Sequence, residues 1–146
     1  MKVKCIFNTG EGLSQKTLDA GYKKDSKFKV EVGVEYTVCS MILWRGFLDY
    51  LLSPNDSECP SWYPAELFKV TNHLLPFVWY FNFEEYENYK GEISQKAIWG
   101  YKEMVSDSDH HIALTESKPE ALNIFQKRKR QIDEFEELNK FTCKGE

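Results

Sequence analysis

Nowhere does this sequence hold the roughly 20 consecutive apolar residues that a helix needs to cross a bilayer. Its longest apolar run, LLPFVWYFNF at 74 to 83, reaches about half that length and contains Pro76. No membrane partner is expected. The opening MKVKCIFNTG has two lysines but no apolar segment of signal-peptide length, which predicts a cytoplasmic protein. Cysteine is sparse and scattered: Cys5, Cys39, Cys59 and Cys143 form no CxxC pair. That removes the usual signature of a zinc site or redox centre and predicts reduced thiols. Internal repeats, low-complexity tracts and linkers are also missing. A single domain over residues 1–146 is expected, long enough to bury a real core.

Cofactor loops are absent as well. GEG at 10 to 12 follows a strand-like segment, but it lacks the Gly-Lys-Ser/Thr ending of a phosphate loop and the three spaced glycines of a dinucleotide site. It reads as a plain turn, and no cofactor is assigned. What the chain does contain is 42% hydrophobic and 29% charged residues, in the globular range, with a high aromatic share of 15%. The net charge is −4, which argues against a nucleic-acid partner, because phosphate contacts need clustered Lys and Arg. Residues 1–73 balance nine basic against nine acidic side chains, whereas 74–146 hold ten basic and fourteen acidic. All of the excess negative charge lies in the second half.

VKCIFN at 3 to 8 reads as a first strand ended by NTGEG, and the polar segment 13 to 27 as a long loop or short helix. FKVEVGVEYTVCSMIL is rich in β-branched and aromatic residues, predicting strands at 28 to 32 and 35 to 43 about a turn at Gly33. The second is apolar on both faces, which marks a central strand. Arg45-Gly46 then bends the chain into FLDYLL. After the loop PNDSECP, WYP leads into ELFKV; 79 to 83 and 97 to 105 are further strands, joined by EEYENYKGE. Six or seven short strands at hairpin spacing predict a small antiparallel β-barrel or curled sheet over about 1–105. The C-terminal segment, about 110–139, is helical. In it SKPE fits a capping box formed by Ser117 and Glu120, and Ala121, Leu122, Phe125, Ile132, Phe135 and Leu138 recur at helical spacing. The fold class is therefore α+β, with a C-terminal helix of about twenty residues packed on the sheet.

Catalytic chemistry has little to rest on. DSDHH at 107 to 111 gathers Asp107, Asp109, His110 and His111, but adjacent histidines point apart and no second cluster completes a metal shell. It reads as a solvated loop offering an Asp as a helix cap, with no metal assigned. KRKR at 127 to 130 reads as a solvated helix face that pairs with the following DEFEE. EEYENYKGE is more informative: Glu84, Glu85, Glu87 and Glu92 are interleaved with Tyr86 and Tyr89. Carboxylates steer a basic partner and tyrosines bury rigid area at low entropy cost, so this segment is a candidate recognition surface as well as a charged hairpin loop. Asp49 interrupts an apolar strand, either facing solvent on an edge or kept for a partner. Trp62 and Tyr63 either plug the end of a barrel or form an aromatic shelf.

Residues 32 to 70, from VGVEYTVCSMILW through the polar loop to WYPAELFKV, resemble an SH3-like small barrel. The whole plan, a strand-rich body with a capped terminal helix, is similar to bacterial immunity proteins of toxin–immunity systems, including contact-dependent growth inhibition. That resemblance implies a non-enzymatic protein that binds and neutralises a cognate toxin domain, a basic protein and plausibly a nuclease. It carries over no binding residues, and the face expected to meet the partner is the one read from the residues themselves, Asp49, Glu84, Glu85, Tyr86, Glu87 and Tyr89. The SH3-like resemblance implies an alternative: an adaptor that takes a peptide or RNA segment on a shelf of Trp62 and Tyr63.

Overall fold

The computed structural model describes residues 1–55 and 59–142, with the side chains of Phe141 and Thr142 excepted. Cys143 and the middle of the PNDSECP loop lie outside the described residues. The strands are β1 (Lys2–Cys5), β2 (Glu35–Thr37), β3 (Ser40–Trp44), β4 (Phe47–Leu52), β5 (Ser61–Pro64), β6 (Phe68–Asn72), β7 (Tyr80–Glu87) and β8 (Ile93–Gly100). The helices are α1 (Gln15–Asp19), α2 (Lys102–Ser106), α3 (Ser108–Thr115) and α4 (Pro119–Thr142). The α+β class and the C-terminal helix follow the sequence reading. The strands, however, form two open antiparallel sheets, ordered β2-β1-β6 and β5-β4-β3-β8-β7, that do not close into one barrel. No helix among the described residues is long and apolar enough to cross a membrane.

Alternation along β4 explains the layering. Tyr50 and Leu52 enter one core with Val3, Cys5, Val38, Tyr63, Leu67 and Phe68, between the two sheets. Leu51, on the opposite face, enters a second core with Ile42, Ile98, Tyr101, Met104, Leu114, Phe125 and Ile132, under the helices. The five-stranded sheet is thus sandwiched between the small sheet and the helical layer, so its central strands need apolar residues on both faces. The β3–β4 hairpin turns at Arg45 (φ 53°) and Gly46 (φ 78°). Two consecutive left-handed residues make a turn whose twist matches the strands it joins.

Several expected elements shift, each for a local reason. The long strand 35 to 43 divides at the buried Val38-Cys39, where the chain leaves the small sheet for the large one. Residues 28 to 32 form no strand: β1 already has β2 and β6 on its two sides, and the isolated bridge nearby, Lys27 to Thr9, falls just before the segment. The last strand stops at Gly100 rather than 105, because the Ser40 side chain packs where a Cβ would be, and Tyr101 turns the chain into α2. Ser117 does not cap α4. It lies at φ 58° and closes α3, its N–H donating to the Leu114 carbonyl (3.0 Å) while Lys118 N–H donates to Ala113 (2.9 Å), a Schellman ending.

The 24-residue α4 buries Ala121, Phe125 and Ile132 as its spacing requires. Its stripe then departs from the apolar pattern, with Glu136 1% exposed and Leu138 71% exposed. Partners explain the exchange: the Met1 amino group contacts one Glu136 carboxylate oxygen and Asn72 Nδ2 donates to the other (2.8 Å). KRKR is less solvated than expected. Arg128 forms a two-pronged bond to Glu103 on α2 (2.8 and 2.6 Å), and Lys129 pairs with Asp133 one turn on (2.7 Å).

Candidate protein-binding surface

The first four residues of EEYENYKGE, Glu84 to Glu87, are strand rather than connection. Strand β7 continues through Glu87, and the hairpin closes with a three-residue loop at Tyr89, Lys90 and Gly91, Gly91 taking the left-handed conformation (φ 75°) that such loops place there. The register pairs Phe81 with Trp99, Phe83 with Ala97, Glu85 with Gln95 and Glu87 with Ile93. Those residues share one face of the sheet. Tyr80, Asn82, Glu84 and Tyr86 share the other.

On the first face the small sheet covers only the inner part. Toward the β7 side, Leu43, Phe81 (55% exposed), Phe83 (50%) and Ile93 (77%) are open, and Tyr89 at the tip is 83% exposed. A concavity of about 670 Å³ lies there, lined by Leu43, Arg45, Phe83, Tyr89, Ile93 and Ala97 among others. Exposed aromatic and aliphatic groups contiguous with Glu85 and Glu87 make an apolar patch with an acidic end, a composition that suits a protein-binding surface. Of the acidic set, Glu84 is paired with Lys96 (3.3 Å) on the other face and Glu85 accepts from Gln95 Nε2 (3.2 Å). Tyr86 does not present itself. Its hydroxyl lies near Ser94, Arg45 and Trp44, shielded from solvent and without a bond of acceptable geometry.

The other predicted residues are elsewhere. Asp49 is on β4, an interior strand rather than an edge, half-buried and without a hydrogen-bond partner among the described residues. Burial raises its carboxyl pKa, and its field helps to raise that of Tyr22 after burial. It lines a separate cavity of about 460 Å³ between α1 and the β3–β4 hairpin, with Tyr22, Phe47 and Pro64. Tyr63 is 6% exposed in the inter-sheet core, edge-on to Phe68 at 6.4 Å. Trp62 faces the helices, where its Nε1 donates to His111 Nε2 (3.3 Å). The aromatic shelf is therefore packed, not open. No family model matches the chain, and neither curated proteins nor solved structures match it.

DSDHH is helix rather than solvated loop. Asp107 caps α3 by accepting from Asp109 and His110 N–H, as its type suggested; His110 is buried against Tyr101 (2.8 Å), and His111 takes the Trp62 bond. Among the described residues no three His, Cys, Asp or Glu side chains converge on a metal position. Sequence reasoning missed Phe81, Phe83, Ile93 and Arg45 as surface residues. The alternation Phe81, Phe83, Glu85, Glu87 was a readable signal, because a period of two carried past Phe83 puts aromatics and acids on one side.

Proposed function

We propose that this protein is a non-enzymatic binding protein of the cytoplasm that captures a basic protein on the open face of the β7–β8 hairpin, in the manner of an immunity protein neutralising a toxin domain. The observation that carries this reading is one sheet face on which exposed Phe81, Phe83 and Ile93 run into Glu85, Glu87 and Tyr89. Desolvated aromatics supply affinity, and carboxylates at the rim steer a cationic partner and fix its orientation. An acidic chain with this surface also repels nucleic acid. The immunity role, with a toxin nuclease as partner class, rests on resemblance of general plan. The SH3-like adaptor reading has lost its support, since Tyr63 is core and Trp62 is engaged by His111.

The test is to purify the tagged protein from its host after a high-salt wash and identify any basic protein held at one-to-one stoichiometry. Affinity is then compared with a Glu85→Lys, Glu87→Lys double variant, which reverses the two carboxylates of that face and leaves the Glu84–Lys96 pair on the other face intact. A folded variant that keeps wild-type affinity and salt dependence sinks the proposal.

A further inference from the structure

Strand β7 is the free edge of the five-stranded sheet, eight residues long, with no strand on its outer side among the described residues. Its hydrogen-bonding phase can be read directly. Asn88 N–H donates inward to the Glu92 carbonyl (2.9 Å), while Phe83 N–H donates instead to the Asn82 side chain (3.0 Å). Antiparallel ladders alternate, so Phe81, Phe83, Glu85 and Glu87 turn their N–H and C=O groups outward, and Tyr80, Asn82, Glu84 and Tyr86 serve β8. The outward-bonding residues are the same four whose side chains occupy the open face. The donor of Phe83 is closed by the Asn82 amide, which is itself tied to Glu84 Oε1 (2.9 Å), leaving the outward donors of Phe81, Glu85 and Glu87 uncovered.

Natural edges are blunted by charged side chains, proline, bulges, short length or inward charges, and here the only such device is the single-sign set Glu84, Glu85 and Glu87, which repels a like edge but admits a basic strand. This one has no proline, and its register with β8 is continuous over all eight positions. We propose that β7 is an acceptor edge for an added strand from the basic partner, an extended segment running antiparallel with basic residues opposite Glu87 and Glu85 and apolar residues opposite Phe83 and Phe81. Charge complementarity sets both orientation and register: a parallel strand places both of its cations opposite the rings, and an antiparallel one slipped by two residues loses one of the two cation–carboxylate pairs. Main-chain bonds then supply affinity and alternate side chains supply selectivity. This rests on the acidic-face reading above and adds how the partner is held.

The test uses a synthetic octapeptide, Lys-Thr-Arg-Thr-Val-Thr-Val-Thr, and the same peptide N-methylated at alternate residues on its pairing edge, titrated into the ¹⁵N-labelled full chain. The expected result is slowed amide exchange at Phe81, Glu85 and Glu87 with the first peptide, and at least tenfold weaker binding by the second. Glu85→Pro, which removes an outward donor and leaves the β8 ladder intact, should weaken the first peptide at least tenfold as well. Unslowed amides at saturating peptide, or equal binding of both peptides to the wild-type chain, overturns the added strand. Equal binding of both peptides that is nonetheless lost in the Glu85→Lys, Glu87→Lys double variant would overturn the strand and leave the acidic face standing. Loss of neither would remove both.

Discussion

The contact between Trp62 and His111 makes a quantitative prediction about acid stability. An indole Nε1–H only donates, so the His111 Nε2 facing it at 3.3 Å must carry a lone pair, which fixes the ring as neutral with its proton on Nδ1. Burial lowers its pKa below the ordinary value, and the Lys96 charge and His110 add to this. His110 is lowered too, by burial, against the opposing pull of Glu103 and Asp107. A base whose pKa is lowered by folding binds protons more readily in the unfolded chain. Stability is therefore full above the unfolded value of roughly 6.5 and falls as pH drops toward the folded values. Each histidine contributes at most about 1.4 kcal/mol per pH unit in that window, so the pair sets a ceiling near ~2.7 kcal/mol per unit. At roughly 2–4 °C per kcal/mol for a domain of this size, the melting temperature should drop by up to about 5–11 °C per unit. Urea unfolding followed by tryptophan fluorescence from pH 8 to pH 5 measures the slope. In His111→Gln, which keeps an acceptor but does not titrate, the slope should fall by up to about 1.4 kcal/mol per pH unit, with stability at pH 8 within ~1 kcal/mol of wild type. A flat wild-type profile, or a His111 ring that titrates at its ordinary pKa by NMR, refutes the reasoning.

Other substitutions separate alternative readings. Ser117→Gly should stabilise by about 0.5–1 kcal/mol, because a left-handed residue closes α3; a loss of about 1 kcal/mol in thermal unfolding would instead support a helix cap. Tyr63→Ala should cost about 3–5 kcal/mol in denaturant unfolding, as expected for an aromatic core residue, and a stable variant with unchanged unfolding would return Tyr63 to the surface. Asp49→Asn should raise stability at pH 7. Burial raises the folded pKa of Asp49, so its favourable share exists only below the unfolded value of roughly 3.9 and is lost as pH rises through the folded value. The gain should disappear in unfolding curves at pH 3, and a gain independent of pH would contradict the assignment.

What was legible in the sequence was whatever is decided within a few residues. Arg45-Gly46 announced its turn, DSDHH an Asp suited to capping a helix, and the spacing of Ala121, Phe125 and Ile132 the buried stripe of α4, because backbone preference and helical period are local properties. Half of the candidate surface was visible in the same way, as acids and tyrosines in one segment.

Tertiary structure decided the rest. Whether Tyr63 meets solvent depends on Val3 and Cys5, distant in sequence, packing with Phe68 over it. Whether a carboxylate is tolerated at Glu136 depends on Met1 and Asn72 arriving beside it. Whether Glu85 and Glu87 lie in a loop or on a strand face depends on β8 pairing with β7 in one register, and that same pairing leaves β7 as the edge. The sequence determined which residues alternate and where the chain turns. Which faces are covered, and by what, follows from pairing and packing between segments that no local pattern specifies.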